Sequence, residues 1–146
     1  MMKERVLNGQ KFRFDREETI NMYRMLKAGG ADECDCGYCA YFAKHRRQAY
    51  NDELFALMSE LGIDYTKEDE VWTVSNGDEN ETMQFYSWFY LAGELEEADR
   101  LPSPSQQRGF PSLTVVAECP PRLKLDLACT PLPPMPVGFL ENYPSK

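Results

Sequence analysis

The 146-residue chain contains 42% hydrophobic and 12% aromatic residues, which predicts one folded domain spanning residues 1–146. Its net charge of −8 disfavours nucleic acids and anionic membranes as ligands, because both require clustered cations. The sequence has neither an apolar run of membrane-spanning length nor a signal-peptide segment. We therefore expect a soluble cytoplasmic protein whose five cysteines are mostly reduced.

Residues 1–62 are predicted to be mainly helical. After a short strand at Lys11–Phe14, Asp15 has the character of a helix N-cap, and the helix that it begins should end at Gly29 and Gly30. Two more helices are predicted by the same kind of start and stop signals. They run from near Tyr38 to about Gln48 and from Asn51 to Gly62.

Residues 71–129 are predicted to form the sheet, because the spacing of apolar residues changes from the helical period to alternation near Glu70. Helices followed by strands indicate an α+β fold, with N-terminal helices packed on one face of a mostly antiparallel sheet. Both faces of the second strand are aromatic, so we expect it to be covered on both sides, with Phe85 and Trp88 in the core. The predicted strands are Val71–Val74, Thr82–Ala92, Leu113–Cys119 and Leu123–Cys129.

The last two predicted strands should form a hairpin. Their apolar alternation places Cys119 opposite Leu123 and Leu113 opposite Cys129, which keeps the two cysteines too far apart for a disulfide. Four prolines among residues 131–136 then predict an extended, Pro-rich C-terminal strap over residues 130–146.

The segment from Cys34 to Cys39 has the strongest potential for chemistry, and three hypotheses compete for it. A structural role is favoured, because buried cysteines commonly pack as small apolar side chains and Asp35 can cap the following helix. Three carboxylates, those of Asp32, Glu33 and Asp35, also oppose a reactive thiolate nearby. No catalytic residue is assigned on this basis.

Zinc binding is the second hypothesis, because Cys34, Cys36, Cys39 and His45 are four ligands of the right type. His45 follows Cys39 by six residues, about 120° around a helix, so it should point away from the thiols. The third hypothesis is redox chemistry by the pair Cys36 and Cys39. Their CGYC spelling resembles the active site of thioredoxins and glutaredoxins, although the strand that precedes it in that family is not predicted here.

Three longer motifs together resemble a small family of uncharacterised bacterial cytosolic proteins. That family has a D-C-x-Y-C segment that opens a helix, an LGID-x-x-K-x-x-EVW segment, and an aromatic strand that ends in glycine. Here these motifs correspond to Asp35–Cys39, Leu61–Trp72 and Trp88–Gly93. The resemblance implies a single compact domain and assigns no activity and no catalytic residues.

The predicted function is that of a small acidic bacterial protein that binds another protein as a non-catalytic accessory module. The acidic composition favours a basic partner, and the sequence contains none of the common enzyme motifs. The alternative function is thiol-redox or zinc-binding activity of Cys34, Cys36 and Cys39. The aromatic run Phe85–Tyr90 would form a ligand platform if it were exposed, but a buried strand is favoured.

Overall fold

The computed structural model describes residues 2–7, 9–75, 80–95, 113–117 and 122–142. Within these ranges the chain forms a six-stranded antiparallel sheet and three α-helices, which confirms the predicted α+β class. The strands are β1 (Met2–Leu7), β2 (Gln10–Asp15), β3 (Glu70–Thr73), β4 (Phe85–Leu95), β5 (Thr114–Ala117) and β6 (Arg122–Ala128). The helices are α1 (Arg16–Arg24), α2 (Gly37–Lys44) and α3 (Asp52–Leu61), and short 3₁₀ turns cover Gly30–Glu33, Arg46–Ala49 and Leu140–Asn142.

Helices α1 and α3 begin where local sequence signals predict. The side-chain oxygens of Asp15 and Asn51 each accept a hydrogen bond from the backbone amide three residues further on, at 3.0 and 2.9 Å. Helix α3 ends at Gly62, whose φ of 84° favours glycine. Helix α1 is shorter than predicted, because it ends at Arg24 and not at Gly29.

Strand β4 is central, because both of its edges carry hydrogen-bonded neighbours. Strand β6 pairs along one edge, whereas the other edge pairs with β3 near its start and with β2 at its end. Two side chains of α1 fill the gap between β3 and β2. Thr19 Oγ1 accepts a hydrogen bond from the Ala92 amide (3.0 Å), and the Tyr23 hydroxyl donates to the Tyr90 carbonyl (2.6 Å). The helix thereby satisfies backbone groups that the two strands leave free.

The N-terminal hairpin of β1 and β2 forms one edge of the sheet. The sequence predicts β2 but misses β1, whose residues are mostly exposed. The Gln10 side-chain amide donates to the Val115 carbonyl (2.7 Å) and accepts from the Val115 amide (2.9 Å). Strands β2 and β5 are separated by β4 and β6 in the sheet order, so this contact requires a strongly curved sheet. Gln10 thus satisfies the outer edge of β5 where another strand would otherwise pair.

The two faces of the sheet differ in burial. Phe85 and Phe89 point toward the helices and are buried, which confirms the prediction for Phe85. The prediction that β4 is covered on both faces, with Trp88 in the core, is wrong, because the helices pack on one face only in the described part of the chain. The opposite face, called the open face below, carries the exposed or half-exposed side chains of Trp72, Tyr86, Trp88 and Lys124.

Strands β5 and β6 form the predicted hairpin in a register shifted by two residues. Ala117 lies opposite Leu123 and Val115 lies opposite Leu125, so the predicted partners are wrong. A shift of two keeps the same residues on the buried face, and apolar alternation therefore cannot distinguish the two registers. Cys119 lies outside the described residues.

The Pro-rich C-terminal segment packs on the core as a strap. Leu132 forms an antiparallel bridge with Met83, and the Tyr41 hydroxyl of α2 donates to the Pro133 carbonyl. Leu132 and Met135 are buried, and Phe139 packs edge-on against the Tyr41 ring. The strap therefore joins α2 to the segment that leads into β4.

Candidate metal centre

The cysteine segment connects the 3₁₀ turn at Gly30–Glu33 to α2. Cys36 is the N-cap of α2, and its Sγ accepts a hydrogen bond from the Cys39 amide at 3.4 Å. The prediction that Asp35 caps this helix is therefore wrong. The Cys36 sulfur thus satisfies a backbone amide of the first turn that the helix itself leaves without a partner.

Two glycines fix the start of the segment against the residues that precede β3. The Gly30 amide donates to the Glu68 carbonyl (2.7 Å), and a Cβ atom at Gly30 would lie 2.4 Å from the Asp69 carbonyl oxygen. A Cβ atom at Gly29 would lie 1.8 Å from a carboxylate oxygen of Glu68. These glycines serve close packing of two backbones, not the end of α1.

A buried ion pair holds the same region together. Arg46 Nε lies 2.9 Å from Glu68 Oε1, and Arg46 Nη2 lies 3.0 Å from Asp32 Oδ2. Burial raises the pKa of Glu68 to about 7, and the attraction of Arg46 opposes this effect. Sequence reasoning missed this positioning pair, because its members are 22 residues apart and no local pattern links them.

The three cysteines of the segment bring their sulfur atoms together. Cys34 Sγ lies 3.3 Å from Cys36 Sγ, and all three sulfurs, including that of Cys39, lie within 4.8 Å of one another. Tetrahedral zinc with Zn–S bonds of about 2.3 Å requires sulfur atoms about 3.8 Å apart. The Cys34–Cys36 distance is shorter than this value, and the limit of 4.8 Å on the other two distances includes it, so the cluster approaches the spacing of three sulfur ligands.

The thiols of Cys34 and Cys39 differ in exposure and acidity. Cys34 is exposed, and hydrogen bonding from the Cys36 backbone lowers the pKa of its thiol. Cys39 is half-buried, and burial together with the neighbouring thiols raises its pKa. Cys34 therefore ionises more readily than Cys39, although it stands next to Asp35.

The other candidate ligands lie elsewhere. His45 is the residue that follows α2, at the opposite end of the helix from Cys36, and its ring packs on Tyr41 with centroids 4.5 Å apart. The prediction that His45 points away from the thiols is thus confirmed. Cys129 is buried beside Ser87, with Sγ 3.6 Å from Oγ. No fourth histidine, cysteine, aspartate or glutamate of the described ranges joins the cluster within the same 4.8 Å.

A groove of about 380 Å³ runs along the cluster, between the N-terminus of α2 and β3. Cys36 and Cys39 line one side of it, and its other walls are largely apolar. Val74 is 67% exposed at this groove, and Trp72, whose ring stacks on Tyr86 on the open face, borders it. The remaining lining residues are Tyr38, Val71, Thr73, Ser75 and Phe85.

The surroundings of Cys36 and Cys39 depart from the thioredoxin pattern. A 3₁₀ turn, not a strand, precedes the segment, and Cys34 joins the pair to make a group of three. No protein-family model, curated protein or solved structure matches the chain, so the resemblance to a bacterial family stays a prediction. Among the described residues, none of the helices has the length and apolar character needed to span a membrane.

Proposed function

We propose that the protein binds a thiophilic metal ion, Zn²⁺ in the first instance, through the thiolates of Cys34, Cys36 and Cys39. The observation that carries the proposal is the convergence of three sulfur atoms within 4.8 Å of one another. Thiolates are soft ligands that select Zn²⁺, Cu⁺ or iron–sulfur clusters over Mg²⁺ and Ca²⁺. Three protein ligands leave one position of a tetrahedral zinc ion open.

The electrostatic surroundings support a cation. Asp35 adds negative charge beside Cys34, which opposes a free thiolate but attracts a divalent metal. A bound metal deprotonates coordinating thiols outright, so it removes the obstacle that burial presents at Cys39. The contacts of Arg46 with Glu68 and Asp32 hold the 3₁₀ turn that precedes the three thiols.

The experiment is a zinc titration of the full reduced chain in competition with a chromophoric chelator. We expect one equivalent to bind, and Cys34→Ser, Cys36→Ser and Cys39→Ser each to weaken binding by more than about 100-fold. The control is Cys129→Ala, which removes a buried cysteine outside the cluster and should leave the affinity unchanged. Affinity should fall as the pH falls, because protons compete with the metal for the thiolates.

Two results would contradict the proposal. One is the absence of stoichiometric binding, and the other is binding that survives loss of any of the three thiols. A disulfide within the segment, found by non-reducing peptide mapping of freshly purified protein, would favour the redox hypothesis for Cys36 and Cys39 instead.

The sequence-based prediction of a non-catalytic, protein-binding accessory role is compatible with this site. The half-exposed aromatic rings of the open face supply a surface of the kind that protein partners use. We include in the proposal the predicted cytoplasmic location, where thiols stay reduced and available for a metal.

A further inference from the structure

We infer that the metal takes its fourth ligand from a partner protein, as the neutral imidazole of a histidine flanked by apolar residues. This inference rests on the proposed metal site. Its basis is the combination of three protein sulfurs, a fourth coordination position that no other candidate ligand among the described residues reaches, and an apolar groove that leads to the sulfurs of Cys36 and Cys39. The only histidine of this chain, His45, lies at the far end of α2.

The negative charge of the site favours a neutral fourth ligand. Zinc with three thiolates already carries a net charge of −1, and Asp35 and Glu33 lie next to Cys34 in the chain. A fourth thiolate or a carboxylate would add another negative charge to this acidic region. A neutral imidazole adds none, and it is a common zinc ligand.

The groove favours apolar residues next to the partner's histidine. Its walls include Val74, which is 67% exposed and would lose water on contact with an apolar side chain. Its volume of about 380 Å³ accommodates a side chain or two in addition to an imidazole. The net charge of −8 favours a partner segment without acidic residues.

The test uses the full chain loaded with Co²⁺, whose ligand-field absorption reports the fourth ligand. Three blocked tripeptides serve as probes: histidine flanked by leucines, histidine flanked by glycines, and cysteine flanked by leucines. We expect both histidine peptides to shift the absorption bands saturably, and the leucine-flanked one to bind about tenfold more tightly. The cysteine peptide should bind more weakly than its histidine counterpart.

The matched variants are Val74→Ser in the groove and Val6→Ser, an exposed valine of β1. Val74→Ser should bring the ratio of the affinities for the leucine-flanked and glycine-flanked histidine peptides close to one. The affinity for cobalt should stay unchanged. Val6→Ser should change neither quantity. Because Val74 is largely exposed, its substitution should not unfold the protein.

The outcomes separate the two proposals. If cobalt does not bind, the metal site and this inference both fail. If cobalt binds with sulfur-to-metal charge-transfer bands but the histidine peptides leave its spectrum unchanged, only the inference fails. It also fails if cobalt makes the protein self-associate, or if Cys119→Ala or Asp78→Asn with Glu79→Gln alters the metal spectrum. In those cases a second copy or the chain itself completes the site.

Discussion

The two faces of β4 are similar in sequence and different in environment. On the helix side, Phe85 and Phe89 are excluded from water and pack against other aromatic rings. On the open face, Trp88 donates a hydrogen bond from Nε1 to Asp69 (2.9 Å), and the Lys124 ammonium lies 4.5 Å from its ring centre. Aromatic residues therefore identify a strand without deciding whether a second layer covers it. Tryptophan and tyrosine have polar atoms and bind cations, so a charged neighbour can shield their rings as another layer would.

The largest expected difference between the faces is in the cost of truncation. Phe89→Ala should lower the free energy of unfolding by about 3–5 kcal/mol, because it leaves a cavity in a packed core. Trp88→Ala should cost less, about 1–2 kcal/mol, because the ring lies partly in solvent and its contacts include the polar groups of Asp69 and Lys124. Urea denaturation measures both values. Equal losses would mean that the open face is covered in solution.

A buried carboxylate on the helix side gives the second prediction. Glu68 has a pKa of about 7 in the folded protein, against 4.5 in the unfolded chain, so the folded state holds its proton more tightly. The stability that this provides is complete below pH 4.5 and is lost as the pH rises through about 7. The free energy of unfolding relative to Glu68→Gln should therefore fall, on the order of 2–3 kcal/mol, from pH 4.5 to 7.

The control for this prediction is Glu70→Gln, which changes an exposed carboxylate two residues away. Its difference from the unmodified protein should show no such fall over the same pH range. If the difference for Glu68→Gln rose with pH, the attraction of Arg46 would exceed the effect of burial, and Glu68 would be ionised throughout.

The third prediction concerns Gln10, a buried polar side chain on the helix side of the sheet. Gln10→Leu keeps the volume of the side chain but leaves the Val115 amide and carbonyl without their partner. We expect a loss of about 1–3 kcal/mol in the free energy of unfolding, the cost of unsatisfied buried groups. Gln48→Leu makes the same chemical change at an exposed position and should stay within about 0.5 kcal/mol. Similar values for the two variants would show that the edge of β5 is open to water.

The smallest effect is expected on the open face itself. Lys124→Met retains most of the apolar stem but removes the ammonium group that lies over the Trp88 ring. We expect a loss of about 0.5–1 kcal/mol by thermal denaturation, the usual strength of an exposed cation–π contact. Lys44→Met, at the exposed end of α2, should have no measurable effect. A loss of several kcal/mol at Lys124 would place it in the core and erase the difference between the faces.

Local signals could be predicted from the sequence, and contacts between distant segments could not. The caps at Asp15, Asn51 and Gly62 depend on neighbouring residues and are found as predicted. Strand β1 is exposed and lacks alternation, and the partners of Gln10 lie too far along the chain for any pattern to reveal. The interactions that link distant residues were therefore the ones that the sequence left undetermined.

The candidate site shows the same division. Composition and spacing identified Cys34, Cys36 and Cys39, because three cysteines in six residues cannot lie far apart. Their convergence depends on Cys36, and not Asp35, taking the capping position, since this turns its sulfur toward the others. The support from Arg46 and Glu68 and the groove along β3 required the fold.

The contact between Gln10 and Val115 joins positions 105 residues apart, and this separation orders the events of folding. On the ribosome, the hairpin of β1 and β2 emerges well before its sheet partner at the end of β4 and before the β5 edge that Gln10 satisfies. Closing so long a loop is entropically costly, and folds with many such contacts form slowly. We therefore expect the hairpin to remain undocked until most of the chain has been synthesised, with the curved sheet closing last.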